Sequence, residues 1–131
     1  MSLTDPIQQK RIYARLMQEF EHSAGQDREW RWRWLTAAHI VGQFQFRLHL
    51  HNHTAMLGYA VRTRDWKEAV GQLFRIALVP LGHTFGRLPT GNIGRATVSA
   101  FQPMALDAGT RAAISRARRD AMDEATERLQ P

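Results

Sequence analysis

The chain has 131 residues, of which 44% are hydrophobic and 23% charged, a composition typical of one globular domain rather than a disordered chain. It has no cysteine, which excludes disulfides, thiolate metal sites and cysteine nucleophiles. We find no apolar run of the roughly 20 residues that span a membrane, and no secretory signal, so we expect a bacterial-type cytoplasmic protein without a membrane partner.

The charge of the chain is strongly positive. The net charge is +6, and 16 of the 18 basic residues are arginines, with Lys10 and Lys67 the exceptions. Such a balance is compatible with binding to nucleic acid or another polyanion. A GC-rich genome that encodes arginine in place of lysine explains the same balance and is the favoured explanation. No nucleic-acid-binding motif accompanies the charge, so a nucleic-acid partner is supported by the charge alone.

Aspartates mark the predicted helix starts. Asp5, followed by a proline and preceded by Thr4, begins a first amphipathic helix that runs to about His22. Asp27 begins a second helix, in which Trp30 and Trp34 lie on one face and Trp32, Leu35 and His39 on the opposite face. A helix that is apolar on two sides is usually buried between neighbours, so we expect this helix to be central.

The third and fourth helices form a predicted hairpin around the turn at Asp65. Its sequence, LGYAVRTRDWKEA, resembles a tetratricopeptide-type hairpin with a shortened turn. The apolar pattern of the third helix predicts one inner face, made of Phe46, His49, Leu50, His53, Leu57, Ala60 and Val61. The fourth helix is predicted to end at Pro80 and to bury Trp66, Ala69, Val70, Leu73, Phe74, Ala77 and Leu78.

Residues 79–105 form a predicted long loop, because helical periodicity is lost over a segment rich in glycine and proline. The apolar residues of this segment favour packing across the helices, and residues 97–101 are a candidate short strand. Its GRLPTGN sequence has Asn92 where a phosphate-binding loop needs lysine, so we exclude a nucleotide site. His83, Thr84 and Asn92 are candidate polar contacts to the histidines. Asp107 then begins a C-terminal helix.

The histidines carry the sharpest functional signal. His49 and His53 are four residues apart and therefore share one helical face, where two imidazoles can reach one metal ion. His39 can join them if the second and third helices pack side by side. Leu50 occupies the position of the glutamate in zincin proteases, and the ββα surroundings of an HNH nuclease are missing. The alternative is that all three are buried histidines hydrogen-bonded to Gln43, Gln72 or main-chain carbonyls.

Four segments resemble a small bacterial family, domain-of-unknown-function family 3703. The chain departs from the family pattern by having Gly94-Arg95 in place of paired glycines, and Ser-Ala-Phe at 99–101 in place of Ser-Pro-Phe. The resemblance implies a helical domain with His39, His49 and His53 at motif positions, and it implies no established activity. The matching segments are AHIVGQ at Ala38–Gln43, HLHNHTAML at His49–Leu57, RDWKEAVGQLFRI at Arg64–Ile76 and TFGRLPTGNIGRATVSAFQPM at Thr84–Met104.

The sequence thus predicts one all-α domain over residues 1–131, with about five helices: two antiparallel hairpins, a C-terminal helix and a packed loop. The functional hypothesis is a protein that binds Zn²⁺, Cu²⁺, Ni²⁺ or Fe²⁺ through His39, His49 and His53, and that is not an enzyme. The alternatives are a module that binds a protein, a second copy of itself or a polyanion without metal, and a small metal-dependent enzyme.

Overall fold

The computed structural model describes residues 5–86, 88–100 and 102–130, and within these residues the chain is all α-helical, without strands. The all-α prediction is confirmed. α1 packs against α2 and α3 against α4, each pair joined by a short turn, and α5 packs against α1 and α2. The helices are α1 (Pro6–His22), α2 (Arg28–Gly42), α3 (Phe46–Arg62), α4 (Trp66–Phe85) and α5 (Ala108–Glu127).

The predicted aspartate caps are all present. The side chains of Asp5, Asp27, Asp65 and Asp107 each accept a hydrogen bond from a main-chain N–H in the first turn of the helix that follows. Such a cap satisfies one of the N–H groups that have no partner inside the helix, and it typically stabilises a helix by about 1 kcal/mol. Thr4 lies outside the described residues.

α2 is the central helix, as predicted. Nearly every residue from Trp32 to Gly42 is buried, and the helix contacts α1, α3 and α5. The apolar core lies around its first half, where Leu16 and Phe20 of α1 and Ile114 of α5 meet it. The second half of α2 also contributes Ile40 and Val41 to this core, and it carries His39, whose ring meets the histidines of α3.

Part of the arginine excess has a role inside the fold. The guanidinium of Arg31 lies 4.7 Å from the ring centres of both Phe20 and Tyr59. That of Arg95 lies 4.3 Å from the ring centre of Trp32. Stacking on aromatic rings is a use for which arginine is better suited than lysine, so these two arginines have an explanation that involves no polyanion.

The predicted inner face of α4 is wrong. Of the predicted residues only Ala69 is buried: Trp66, Val70, Leu73 and Phe74 are 56–67% exposed, and the helix buries Glu68, Gln72, Arg75 and Val79 beside Ala69. The apolar pattern failed because the inner polar side chains are paired with groups that come from far away in the sequence: Glu68 and Gln72 bond the loop, and Gln72 also bonds a histidine. The prediction for α3 was partly wrong, since Phe46 and Val61 are exposed and Asn52, Met56 and Tyr59 lie inside.

The predicted end of α4 at Pro80 is also wrong. Pro80 lies inside α4 on an exposed position, and the helix continues to Phe85. A proline removes one main-chain hydrogen bond, which water can replace on an exposed side. The helix ends at Gly86, whose φ of +64° is the left-handed conformation that glycine adopts without strain. The loop therefore begins at residue 86 rather than 79 and reaches residue 107.

The loop packs across the helices, as predicted, and Asn92 organises it. This side chain is 1% exposed; its amide nitrogen donates to the carbonyls of Ser99 and Gln102, and its oxygen accepts from the N–H of Gly94. Residues 97–100 do not form the candidate strand, and Phe101 lies outside the described residues. Among the helices described, none is long and apolar enough to cross a membrane.

Candidate metal centre

The structure brings the three predicted histidines together. The Nε2 atom of His39 lies 3.2 Å from the Nε2 atoms of both His49 and His53, and the latter two are 3.1 Å apart. All three rings are buried, with 3–7% of their surface exposed. These nitrogens form a nearly equilateral triangle, which is the arrangement of three ligands on one ion.

The triangle follows from the packing of two helices. His49 and His53 are one turn apart on α3, so their rings project in the same direction. His39 lies in the last turn of α2, opposite them. The side chain of Asn52 donates a hydrogen bond to the carbonyl of Leu35, 3.0 Å away, and so fixes α3 against α2 at this level.

The hydrogen bonds at Nδ1 determine which ring nitrogen carries the proton. His39 Nδ1 lies 2.7 Å from the main-chain oxygen of Asn92, an atom that can only accept, so this nitrogen is the N–H. His53 Nδ1 lies 2.7 Å from Oε1 of Gln72. The Gln72 amide is itself oriented, because its nitrogen donates to Glu68 Oε1 and to the carbonyl of Gly94. His53 therefore also carries its proton on Nδ1.

His49 also carries its proton on Nδ1, because that nitrogen faces a fourth histidine. Its Nδ1 lies 3.0 Å from Nε2 of His83, which is half-buried at the end of α4. The other side of the His83 ring bonds the main chain of Gln43, a contact that favours a proton on that side. His83 Nε2 is then an acceptor, and His49 donates to it from Nδ1.

Three unprotonated Nε2 lone pairs consequently point at one another. The centre of their triangle lies about 1.8 Å from each nitrogen, too short for a hydrogen-bonded water, which needs about 2.8 Å. A water above the triangle has two hydrogens for three lone pairs. Nitrogens bound to one tetrahedral zinc ion at 2.0–2.1 Å are about 3.3 Å apart, close to the observed spacing. The donor set therefore fits a transition metal.

Burial keeps these imidazoles neutral. Burial, and then the neighbouring histidines, lower the pKa of His49 to about 3. Burial lowers the pKa of His53 to about 4, although its hydrogen bond to Gln72 acts in the opposite direction. The pKa of His39 lies well below its ordinary value, again chiefly because of burial. A metal ligand must be unprotonated, so the site is ready for a cation at neutral pH.

The long loop closes one side of the cluster. Gly94 has φ of +80°, and a Cβ added to it would lie 2.5 Å from the ring of His39. Only glycine therefore allows the loop to approach this ring so closely. The approach places the carbonyl of Asn92 on His39 and that of Gly94 on Gln72. The loop thus supplies part of the second layer that orients metal-binding histidines.

A family model described as "Protein of unknown function (DUF3703)" matches residues 7–114. The chain belongs to this family. Neither the comparison with curated proteins nor that with solved structures finds a match. The family therefore indicates no activity, as the resemblance of the sequence implied. The chemistry has to be inferred from the residues of the site.

A cavity of about 300 Å³ opens on the cluster and reaches the surface of the molecule. Its walls are mainly apolar side chains of α4 and the loop. An ion held by the three histidines would therefore have one coordination position facing a mostly apolar cleft. The residues around it are His39, Gln43, His49, His53, Arg75, Leu78, Val79, Leu81, Gly82, Phe85, Leu88, Pro89, Asn92 and Ala100.

The candidate polar contacts of the loop had mixed outcomes. His83 and Asn92 do bond the cluster, whereas the hydroxyl of exposed Thr84 bonds the carbonyl of Pro80 within its own helix. Glu68 was not among the candidates, and its carboxylate accepts from the side chain of Gln72 and from the N–H of Ala96. The sequence feature that could have indicated this role of Glu68 is a second polar residue, Gln72, one turn later on α4.

Proposed function

We propose that the protein binds one transition-metal ion through His39, His49 and His53. The observation that carries the proposal is the convergence of three buried, unprotonated Nε2 atoms whose protons are held on the opposite ring nitrogens. Buried lone pairs that face one another without a donor destabilise the folded chain, and a cation removes that cost. The alternative of ordinary buried histidines explains the Nδ1 bonds and leaves the Nε2 side unexplained.

The donor set selects among metals by chemistry. Three neutral imidazoles suit Zn²⁺, Cu²⁺, Ni²⁺ and Fe²⁺, whereas Mg²⁺ and Ca²⁺ require oxygen ligands. The position that faces the cavity keeps the site open, which is the arrangement of catalytic rather than structural zinc sites. None of the cavity-lining residues in the described part of the chain is an aspartate or glutamate that could act as general base. The proposed function is therefore metal binding, with no reaction assigned.

Thermal melts of chelator-treated protein test the proposal. An ion that binds the folded chain alone, present at 100 times its Kd, adds about 2.7 kcal/mol of stability. For a domain of this size that corresponds to a rise in Tm of roughly 10 °C. We expect such a rise with at least one of Zn²⁺, Co²⁺, Cu²⁺, Ni²⁺ or Fe²⁺, with a stoichiometry of one ion per chain by metal analysis. No rise with any of them contradicts the proposal.

A matched pair of variants locates the ion. His53→Ala removes one of the three ligands, and we expect it to abolish the rise in Tm. His22→Ala removes an exposed histidine at the end of α1 and should leave the rise unchanged. If the two variants respond to metal alike, the ion is bound elsewhere. Circular dichroism of stripped His53→Ala separates loss of metal from loss of the fold.

The outer face of α4 favours a second candidate function, self-association. Trp66, Val70, Leu73, Phe74, Leu81 and Phe85 form one exposed apolar stripe along the helix. Each of these six side chains is more than half exposed, and a contiguous apolar surface of this kind is typical of a protein–protein interface. A stripe on one helix can pair with itself about a two-fold axis. We propose a second copy of this chain as the occupant, which sedimentation at increasing concentration tests.

A further inference from the structure

The cavity above the histidines contains a polar group that its surroundings do not explain. The side chain of Gln43 is 0% exposed, and neither its amide nitrogen nor its amide oxygen has a hydrogen-bond partner among the described residues. A fully buried amide without partners is rare in folded proteins. Gln43 follows His39 by four residues at the end of α2, so it lies beside the metal ligand and lines the same cavity.

The cavity also contains one buried cation. Arg75 is 8% exposed and lines the cavity, and its Nη2 atom donates to the carbonyl of Val98. Its positive charge is close enough to lower the pKa of both His39 and His53. The guanidinium has five N–H donors, and among the described residues the bond to Val98 uses one of them, which leaves donors for a ligand in the cavity.

The charge of a loaded site would be unbalanced. Three neutral imidazoles leave the two positive charges of a divalent ion uncompensated, and no carboxylate lines the described part of the cavity. The carboxylate of Glu68 acts on Arg75 and raises its pKa, so it balances the guanidinium and leaves the two charges of the ion without a counter-charge in the lining of the cavity. In a site of low polarity, charge of this kind attracts an anion.

The rest of the wall is apolar. Leu78, Leu81, Phe85, Leu88 and Pro89 surround the space beyond the polar end. A volume of about 300 Å³ is at the small end of the range for sites that bind organic molecules. The cavity therefore has a positive, hydrogen-bonding end at the histidines and an apolar end toward the C-terminus of α4.

On the basis of the proposed metal site, we infer that this cavity binds a small monocarboxylate with an apolar chain. The carboxylate occupies the open position on the metal and accepts from Gln43 and Arg75, and the chain lies against the apolar wall. A neutral molecule would leave the charge uncompensated, and an inorganic anion would leave the apolar wall unfilled. A carboxylate oxygen also gives the Gln43 amide nitrogen the acceptor that it lacks.

Cobalt-loaded protein provides the test, because the visible ligand-field absorption of Co²⁺ reports both its binding and any change in its ligands. The probes are hexanoate, acetate and hexanamide, which separate the roles of chain and charge. We expect hexanoate to change the spectrum at a concentration at least about tenfold lower than acetate, and hexanamide to leave it unchanged. An equal response to acetate contradicts the apolar end, and an equal response to hexanamide contradicts the anion.

The variant Gln43→Leu tests the polar end without removing a ligand or a partner. Since the amide has no partner to lose, the stripped variant should be at least as stable as the parent and should bind Co²⁺ equally well. Hexanoate binding should weaken about tenfold or more. If hexanoate binds the variant as tightly as the parent, Gln43 has no role in the site.

The two proposals fail in different ways. If Co²⁺ gives no spectrum and none of the five ions raises the Tm, the metal site and the carboxylate site are overturned together. A Co²⁺ spectrum that none of the three probes changes leaves the metal site standing and overturns the carboxylate site.

Discussion

The molecule has two interiors of opposite character. Around the first half of α2, residues such as Leu16, Leu35 and Ile114 are at most 1% exposed and pack carbon against carbon. Around the second half, residues just as deeply buried are polar: Asn52, Gln72 and Asn92 are also at most 1% exposed and surround the histidines. The first interior forms mainly between α1, α2 and α5 and also includes Met56 and Tyr59 of α3, whereas the second forms between α2, α3, α4 and the loop.

The comparison explains why we propose a ligand for the second interior and none for the first. Burial of apolar side chains stabilises a domain without directional requirements. A buried polar network stabilises it only when every donor and acceptor is paired. In the second interior each histidine Nδ1 is paired, the three Nε2 atoms face one another, and the Gln43 amide and Asn52 Oδ1 have no partner among the described residues. Of these groups the histidines and Gln43 line the cavity, where a ligand would supply the missing partners.

Acid should weaken the second interior first, and this is the largest effect that we expect. The pKa values of His49 and His53 are about 3 and 4 in the folded protein, against an ordinary value of 6.5. Between pH 4 and 6.5 the unfolded chain therefore binds more protons than the folded chain, so stability falls as the pH falls. From pH 7 to pH 5 each of the two should cost about 2 kcal/mol, measured by urea unfolding of stripped protein.

A bound metal ion should reduce this loss of stability until the pH is low enough for protons to displace the ion. A bound ion keeps the histidines unprotonated, so the loaded protein should lose its stability at a lower pH than the stripped protein. Equal free energies of unfolding at pH 7 and pH 5 in the stripped protein would contradict the neutral state assigned to the cluster.

The apolar interior should respond to truncation in a way that is independent of metal. Leu16 is 0% exposed, and Leu16→Ala removes three carbons and leaves a cavity, at a cost of about 3 kcal/mol. The cost should be the same for stripped and metal-loaded protein, because the core and the cluster are separate. A loss of metal affinity in Leu16→Ala, measured by titration, would show instead that the two interiors are coupled.

The two interiors also differ in how far the sequence predicts them. Caps, helix number and the central position of α2 follow from local patterns, because aspartates and apolar spacing act within a few residues. The pair His49 and His53 could be found from its spacing, and the family resemblance points to the same positions. The inward face of α4 could not be predicted from spacing, because the burial of Glu68 and Gln72 depends on partners in a loop more than 20 residues away. Apolar spacing there indicated the face that is exposed.

Gly94→Ala should disturb the cluster through the loop. The substitution puts a side chain on a residue with φ of +80° and 2.5 Å from the His39 ring, so we expect a loss of about 2 kcal/mol and weaker metal binding. Gly25→Ala is the matched control, because φ is +89° there and a Cβ meets nothing within 4 Å. Gly25→Ala should therefore lose stability through backbone strain only, and its metal affinity should be unchanged. Equal metal affinities in the two variants would show that Gly94 does not support the metal site.

The outer face of α4 should give the smallest change in the stability of a single chain. Leu73 is 56% exposed, and exposed substitutions usually alter the free energy of unfolding by less than about 0.5 kcal/mol. Leu73→Glu should therefore leave the melting of dilute protein nearly unchanged. In a two-fold dimer it places like charges in the interface, so any association seen by sedimentation should disappear. Ala112→Glu, at an exposed position of α5, adds the same charge elsewhere and should leave association intact. If both variants sediment like the parent at every concentration, the stripe on α4 does not hold a second copy.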